Sequence, residues 1–132
     1  MNTLKIEEGT EINLQFKKRN GILPVVVQET STNEILMLAS VNQEAVDYSI
    51  KNKIAAFYST SRNKLWIKGE SSGNYLKLDK VLVDCDQDAL VYKVTLKKDG
   101  VCHTFNENGK NRKACFYRSL NMDSNTLEFI EK

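Results

Sequence analysis

The chain has 132 residues, 41% hydrophobic and 27% charged, and its 19 basic against 17 acidic residues leave a formal charge of +2. These values fit one globular domain with its own core. They exclude the dense basic stripe of a nucleic-acid binder, and no run approaches the roughly 18 apolar residues that span a bilayer. The N-terminal stretch MNTLKIEEGTEINLQFKKRN has neither the apolar core nor the cleavage site of a signal peptide, so a cytoplasmic protein with no nucleic-acid and no membrane partner is expected. Three cysteines, an odd count in a reducing compartment, argue against a disulfide framework.

In chain order, Leu23 to Glu29 and Glu34 to Leu38 read as two strands, and Thr30-Ser31-Thr32-Asn33 between them reads as a hairpin turn. Pro24 stands at the start of the first strand, where a missing N–H matters least. Asn42 is placed to cap a helix running to about Lys51, with Glu44 at its positive end and Lys51 and Lys53 at its negative end. Ile54 to Tyr58 resumes strand character, and Lys64 to Gly73 reads as a strand breaking into a functional loop. Tyr75 to Val83 and Ala89 to Leu96 are further strands; Val101 to Phe105 and Ala114 to Leu120 are expected to pair across the polar loop Asn106 to Lys113. No repeat or linker divides the chain. The expected class is α+β: a β-rich single domain over residues 1–132, of mostly antiparallel strands with one or two helices.

Two segments carry candidate chemistry. Asp84-Cys85-Asp86-Gln87-Asp88 would project three carboxylates together from an extended chain, because residues two apart share a face. Like charges that close raise one another's pKa unless a cation neutralises them, and hard oxygen donors suit Mg²⁺; the competing reading is a solvated acidic turn. An EF-hand loop is excluded, because counting from Asp84 puts Ala89 where Gly belongs and Thr95 where Glu belongs. Cys85, Cys102 and Cys115 are soft donors whose alternative is to serve as small hydrophobes, and three such donors with an open position suit a catalytic zinc. His103, the only histidine, follows Cys102 and reads as a structural residue, a fourth ligand or a base. In the second segment, Trp66 to Gly73, Gly69 and Gly73 allow close backbone approach. Lys68 and Ser71 offer donors to phosphate, and Trp66 offers a stacking face. Arg62 and Arg118 are further phosphate candidates.

These segments together resemble the phosphoribosyl-AMP cyclohydrolase family of histidine biosynthesis. LPVVVQ (Leu23 to Gln28), EILMLA (Glu34 to Ala39), SRNKLWIKGESSGN (Ser61 to Asn74), DCDQDAL (Asp84 to Leu90), CHT (Cys102 to Thr104) and CFYR (Cys115 to Arg118) occur in the family's order, over about residues 19–120. The resemblance implies a small-molecule nucleotide substrate, 1-(5-phosphoribosyl)-AMP, whose N1–C6 bond is opened by water to a formimino-aminoimidazole-carboxamide ribotide. It implies an intertwined homodimer in which Cys85, Cys102 and Cys115 bind Zn²⁺ shared across subunits, and Asp84, Asp86 and Asp88 bind Mg²⁺. His103 is the catalytic candidate. Arg62, Trp66, Lys68, Gly69, Glu70, Ser71, Gly73 and Arg118 form the candidate substrate-binding set.

Against the family pattern, Phe105 stands where Gly commonly follows CHT, and Asn106 to Lys113 lengthens the link to Cys115, an extension cheap in closure entropy. Thr60 and Ile67 stand where many members have Arg, which bears on the phosphate contacts nearby. The sequence ends soon after CFYR, so a monofunctional form without a fused pyrophosphohydrolase domain is expected. A zinc deaminase is disfavoured because His103 is followed by Thr104 and Phe105, not by its H-x-E pattern. A non-catalytic metal-binding module would leave the Lys68–Gly73 loop without a role.

Overall fold

Alternation along β1 (Leu23–Glu29) sets the core: Leu23, Val25 and Val27 are fully buried, while Pro24 between them is exposed. The computed structural model describes residues 3–132, so the first two positions of the expected domain lie outside it. β1 pairs antiparallel with β2 (Ile35–Val41) through a turn in which Asn33 adopts a left-handed φ of 62°, a conformation asparagine tolerates. Its other edge pairs parallel with β6 (Leu90–Leu96), which pairs antiparallel with β5 (Leu76–Val83). The sheet order is β2-β1-β6-β5.

Helix α2 (Gln43–Asn52) begins at Asn42, whose Oδ1 accepts from the Ala45 N–H at 2.9 Å; such a cap is worth about 1 kcal/mol. Its Ala45 and Val46 join Phe57, Tyr92 and the inner face of the sheet in one buried cluster. The buried Ser49 hydroxyl donates to the Ala45 carbonyl and accepts from the Ala56 N–H and the Tyr92 hydroxyl, so the polar atoms in this core are satisfied. β3 (Ala56–Ser59) and β4 (Lys64–Ile67) form a hairpin packed near α2, with the Phe57 and Trp66 rings 5.4 Å apart. The expected start of β3 shifts: Ile54 makes only a single bridge to Lys77 before the strand begins.

The outer face of the sheet is less covered. Register places Leu38, Val26, Val91 and Leu82 in one row across all four strands, and Leu38 and Leu82 are 61% and 39% exposed.

The C-terminal third departs from expectation. Val101 to Phe105 and Ala114 to Leu120 do not form a strand pair; Val101 to Phe105 instead bonds to the end of the intervening loop, with Val101 N–H to Lys113 O at 3.0 Å and Arg112 N–H to Thr104 O at 2.9 Å. Two features explain this. The Asn106 side chain accepts from the Asn108 and Lys110 N–H groups and turns the chain early. At Gly100 the backbones cross so closely that a Cβ would lie 2.0 Å from the Arg112 carbonyl oxygen. Instead β7 (Arg118–Asn121) pairs with β8 (Thr126–Phe129) around a turn capped by the Asn121 side chain. A short helix α1 (Thr3–Glu8) and a 3₁₀ turn at Lys17–Arg19 were also not expected.

Candidate functional site

The connection from β5 to β6 carries the three aspartates. They converge, but not by the extended geometry expected: the segment is a turn, with Gln87 at φ 56° and Asp84 Oδ1 accepting from the Asp88 and Ala89 N–H groups at 2.9 and 3.1 Å. Ligand oxygens of Asp84, Asp86 and Asp88 lie within 4.8 Å of one another. Lys18 Nζ lies 3.1 Å from Asp86 Oδ2 and 2.9 Å from Asp88 Oδ2, and Arg19 donates to Asp88 Oδ2 at 2.8 Å. Lys18 beside Asp88 holds its carboxyl well below the usual carboxylate range, against the effect of burial, with Arg19 contributing. Loss of water pushes Asp84 up, and the neighbouring Asp88 and Asp86 carboxyls add to this against two backbone bonds. The set offers hard oxygens converging from one short loop, a composition suited to Mg²⁺.

Gln87 ties this loop to the N-terminal arm. Its Oε1 accepts from the Asn13 N–H at 2.7 Å, its Nε2 donates to the Ile6 and Glu11 carbonyls, and its own carbonyl accepts from the Gln15 N–H. Arm and loop enclose a cleft of about 330 Å³ whose lining includes Thr10, Ile12, Val83 and Cys85. Cys85 is exposed.

The other two cysteines meet elsewhere. Cys102 is buried, Cys115 is at the surface, and their thiols are near enough to shift each other's titration. Cys102 Sγ also lies 2.9 Å from the Thr104 hydroxyl, and the Cys115 N–H donates to the Leu36 carbonyl of β2 at 2.7 Å. Burial pushes the Cys102 thiol up, but the Thr104 hydroxyl and N–H, Cys115 and the Arg112 charge together bring it below its ordinary value. Desolvation, then the charge on Cys102, raise Cys115 against the pull of Lys68. Among the described residues the aspartates are the only three such donors gathered within 4.8 Å, so neither Cys85 nor His103 completes a trio with Cys102 and Cys115 in one chain. The His103 side chain is exposed and makes no hydrogen bond or ion pair among the described residues.

The candidate substrate loop is divided. Arg62, Trp66, Gly69, Glu70 and Ser71 line a cavity of about 430 Å³. Lys68 is not among them: it is half-buried, 5.6 Å over the Trp66 ring, and close enough to Cys115 and Cys102 to feel their charge, with burial lowering its pKa. Gly69 serves the loop's own closure, since at φ 83° a Cβ there would lie 2.1 Å from the Asn74 carbonyl oxygen. The Gly73 N–H donates to Gly69 O at 2.7 Å. Arg118 lies on β7 with its guanidinium over the Tyr117 ring.

A sequence model of phosphoribosyl-AMP cyclohydrolase matches residues 37–117. The chain belongs to the phosphoribosyl-AMP cyclohydrolase family. It is 46% identical over 107 residues to a phosphoribosyl-AMP cyclohydrolase of Cenarchaeum symbiosum, covering 81% of this chain and 93% of that protein. It is 35% identical over 133 residues to one of Chloroherpeton thalassium, covering 98% and 89%. A histidine biosynthesis bifunctional protein of Aquifex aeolicus is 41% identical over 109 residues, 83% of this chain and 50% of that protein.

Several residues around these sites were not singled out by motif. Lys18, Arg19 and Gln87 contact the aspartate loop from outside or within it, and the matched cyclohydrolase region begins after the first two. Thr104 and Arg112 tune Cys102; Arg112 lies 4.3 Å over the Tyr117 ring and donates to the Glu131 carbonyl. The one sequence signal was local: Thr104 sits in the family segment CHT, two residues from its cysteine.

Proposed function

We propose that the chain is a homodimeric, cytoplasmic cyclohydrolase of histidine biosynthesis that opens the N1–C6 bond of 1-(5-phosphoribosyl)-AMP with Zn²⁺ and Mg²⁺. The observation that carries this reading is the division of the cysteines: Cys102 and Cys115 lie close enough for each thiol to shift the other's titration, while Cys85 stands exposed at another turn. Two thiols are too few for a catalytic zinc, which takes three protein ligands and keeps one open position. The missing donor is Cys85 of a second copy. Apolar surface flanks both halves: Leu82 and Val83 beside Cys85, and Phe116, Leu120 and Met122 beyond Cys115, the last three 54%, 54% and 88% exposed. An isologous dimer joining these faces would cover apolar area and bring together two zinc sites.

Bound zinc would lower the pKa of a water, supplying a nucleophile for the electrophilic C6 of an N1-substituted adenine. Thr104 and Arg112 favour the thiolate of Cys102, the form that holds a metal. Lys68 supplies positive charge beside the thiols, so its role is at the metal centre as well as toward substrate. Trp66, Arg62, Gly69, Glu70 and Ser71 shape the cavity that would take the nucleotide, with Gly73 closing its loop and Arg118 reaching a phosphate from β7. Asp84, Asp86 and Asp88 would hold Mg²⁺, whose charge would help to screen the substrate's phosphates. His103, exposed beside Cys102, is the base candidate.

The test is an absorbance assay of phosphoribosyl-AMP opening with and without a chelator, followed by restoration of zinc. Turnover that chelation abolishes and zinc restores is expected. Full turnover in chelator would defeat the zinc dependence, and no turnover by zinc-loaded protein would defeat the reaction.

A further inference from the structure

We propose that Lys18 is a tethered cation that competes with the divalent ion for the aspartate cluster and sets the affinity of that site. This inference rests on the preceding reading of Asp84, Asp86 and Asp88 as a cation site. Of the two basic residues at the cluster, only Lys18 reaches two of the aspartates, Asp86 at 3.1 Å and Asp88 at 2.9 Å; Arg19 contacts Asp88 alone. An ammonium is a compact point charge with rotatable donors on a flexible stem, closer to a metal ion in what it offers carboxylates than a planar guanidinium is.

The ammonium is delivered by a built element. Phe16 is buried in the core, the 3₁₀ turn Lys17–Arg19 follows it, and the Gly21 N–H closes back on the Phe16 carbonyl at 2.6 Å. That turn leads into β1, next to β6, and so puts residues 18 and 19 against the β5–β6 turn. The Lys18 side chain is 51% exposed and that of Asp88 only 5%, so the lysine can leave for solvent while the carboxylate cannot. Arg19 also pairs with Asp88, so a departing lysine does not leave that buried carboxylate without a cation; without a metal, Lys18 neutralises carboxylates that would otherwise repel one another. Arg19 stays on Asp88 in both states.

Mg²⁺ binding is measured by titration calorimetry with magnesium chloride on the full chain, in its native assembly, for the wild type, Lys18→Met, Lys18→Arg, Lys17→Met and Asp86→Asn. Lys18→Met is expected to bind Mg²⁺ about threefold tighter or more. Lys18→Arg, which keeps the charge but not the compact ammonium, should fall between wild type and Lys18→Met, and Lys17→Met should remain near wild type, because it removes the same charge one residue away. In chelator Lys18→Met should melt below the wild type, and added Mg²⁺ should raise its melting temperature more. Unchanged or weaker binding by Lys18→Met, with Asp86→Asn losing Mg²⁺, overturns the role of the lysine and leaves the cation site standing. Equal tightening by Lys17→Met overturns displacement in favour of general charge. Binding that Asp86→Asn does not weaken, or none in the wild type, overturns the cation site and this inference with it.

Discussion

The aspartates and the cysteines both lie in segments outside the strands, yet a single chain gathers the three aspartates and does not gather the three cysteines. Asp84, Asp86 and Asp88 come from five consecutive residues, meet within 4.8 Å, and already carry a counter-charge from Lys18 and Arg19. The cysteines come from three segments, and among them Cys102 and Cys115 are near enough to influence each other's titration. A local turn can assemble hard donors alone, because backbone geometry does the gathering. A soft-donor set spread over the chain depends on packing, and in the proposed site that would be the packing of a second copy.

The largest effect that would break this contrast is at Cys102. Cys102→Ser should cost turnover at least about 10³-fold together with zinc, because the activated water is lost, while Mg²⁺ binding at the aspartates persists; full zinc occupancy by elemental analysis would refute the assignment. The same contrast is sharpened by mixing. Cys85→Ala and Cys102→Ala, each inactive alone, are unfolded together and refolded with zinc. Half the dimers become mixed with one intact site in two, so roughly a quarter of wild-type activity should return. No recovery despite demonstrated mixed dimers would mean the three ligands do not come from two chains.

A smaller effect is expected at His103. If its exposed imidazole acts as a base near the zinc water, His103→Ala should lower turnover by about 10²-fold with zinc retained; near-normal turnover would leave it an ordinary surface residue.

The smallest concerns how the cysteine segment is fastened to the sheet. Lys113, two residues before Cys115, lies 2.7 Å from Glu29 and 3.0 Å from Glu34. Lys113, with Thr32, holds the Glu29 carboxyl below its ordinary 4.5. A depressed carboxylate stabilises the fold above its unfolded pKa and loses that contribution as pH falls through the folded value. Thermal melts should therefore place Glu29→Gln slightly below the wild type at neutral pH, with the gap closing at pH values under 4.5. A gap that persists unchanged in acid would show that charge is not what fastens the segment.

The sequence made some of this legible and hid the rest for physical reasons. Alternation in Leu23–Glu29 and the Asn42 cap announced β1, β2 and α2 because each signal is local. The clustering of the aspartates was right while its cause was not: a left-handed Gln87, which no alternation rule anticipates, makes the turn. Lys68 reads as a phosphate donor from its neighbours in sequence; folding also puts its ammonium 5.6 Å over the Trp66 ring and near enough to Cys115 and Cys102 to feel their charge, which no local pattern announces. The strand expected at Ala114 to Leu120 failed because Arg118–Asn121 found a nearer partner in Thr126–Phe129, across an Asn-rich turn. Lys18 and Arg19 were invisible because their partners lie far along the chain.

That distance has a consequence for the order of assembly. Lys18 meets Asp86 across 68 positions and Arg19 meets Asp88 across 69, separations close to that of the parallel β1–β6 seam. The β1–β2 and β5–β6 hairpins are each local, whereas their docking along that seam is not. Closing a short loop costs less entropy than closing a long one, so if the hairpins formed first the acidic turn would exist before its own cations arrived. Magnesium present during refolding and magnesium added afterwards would then meet two different surfaces.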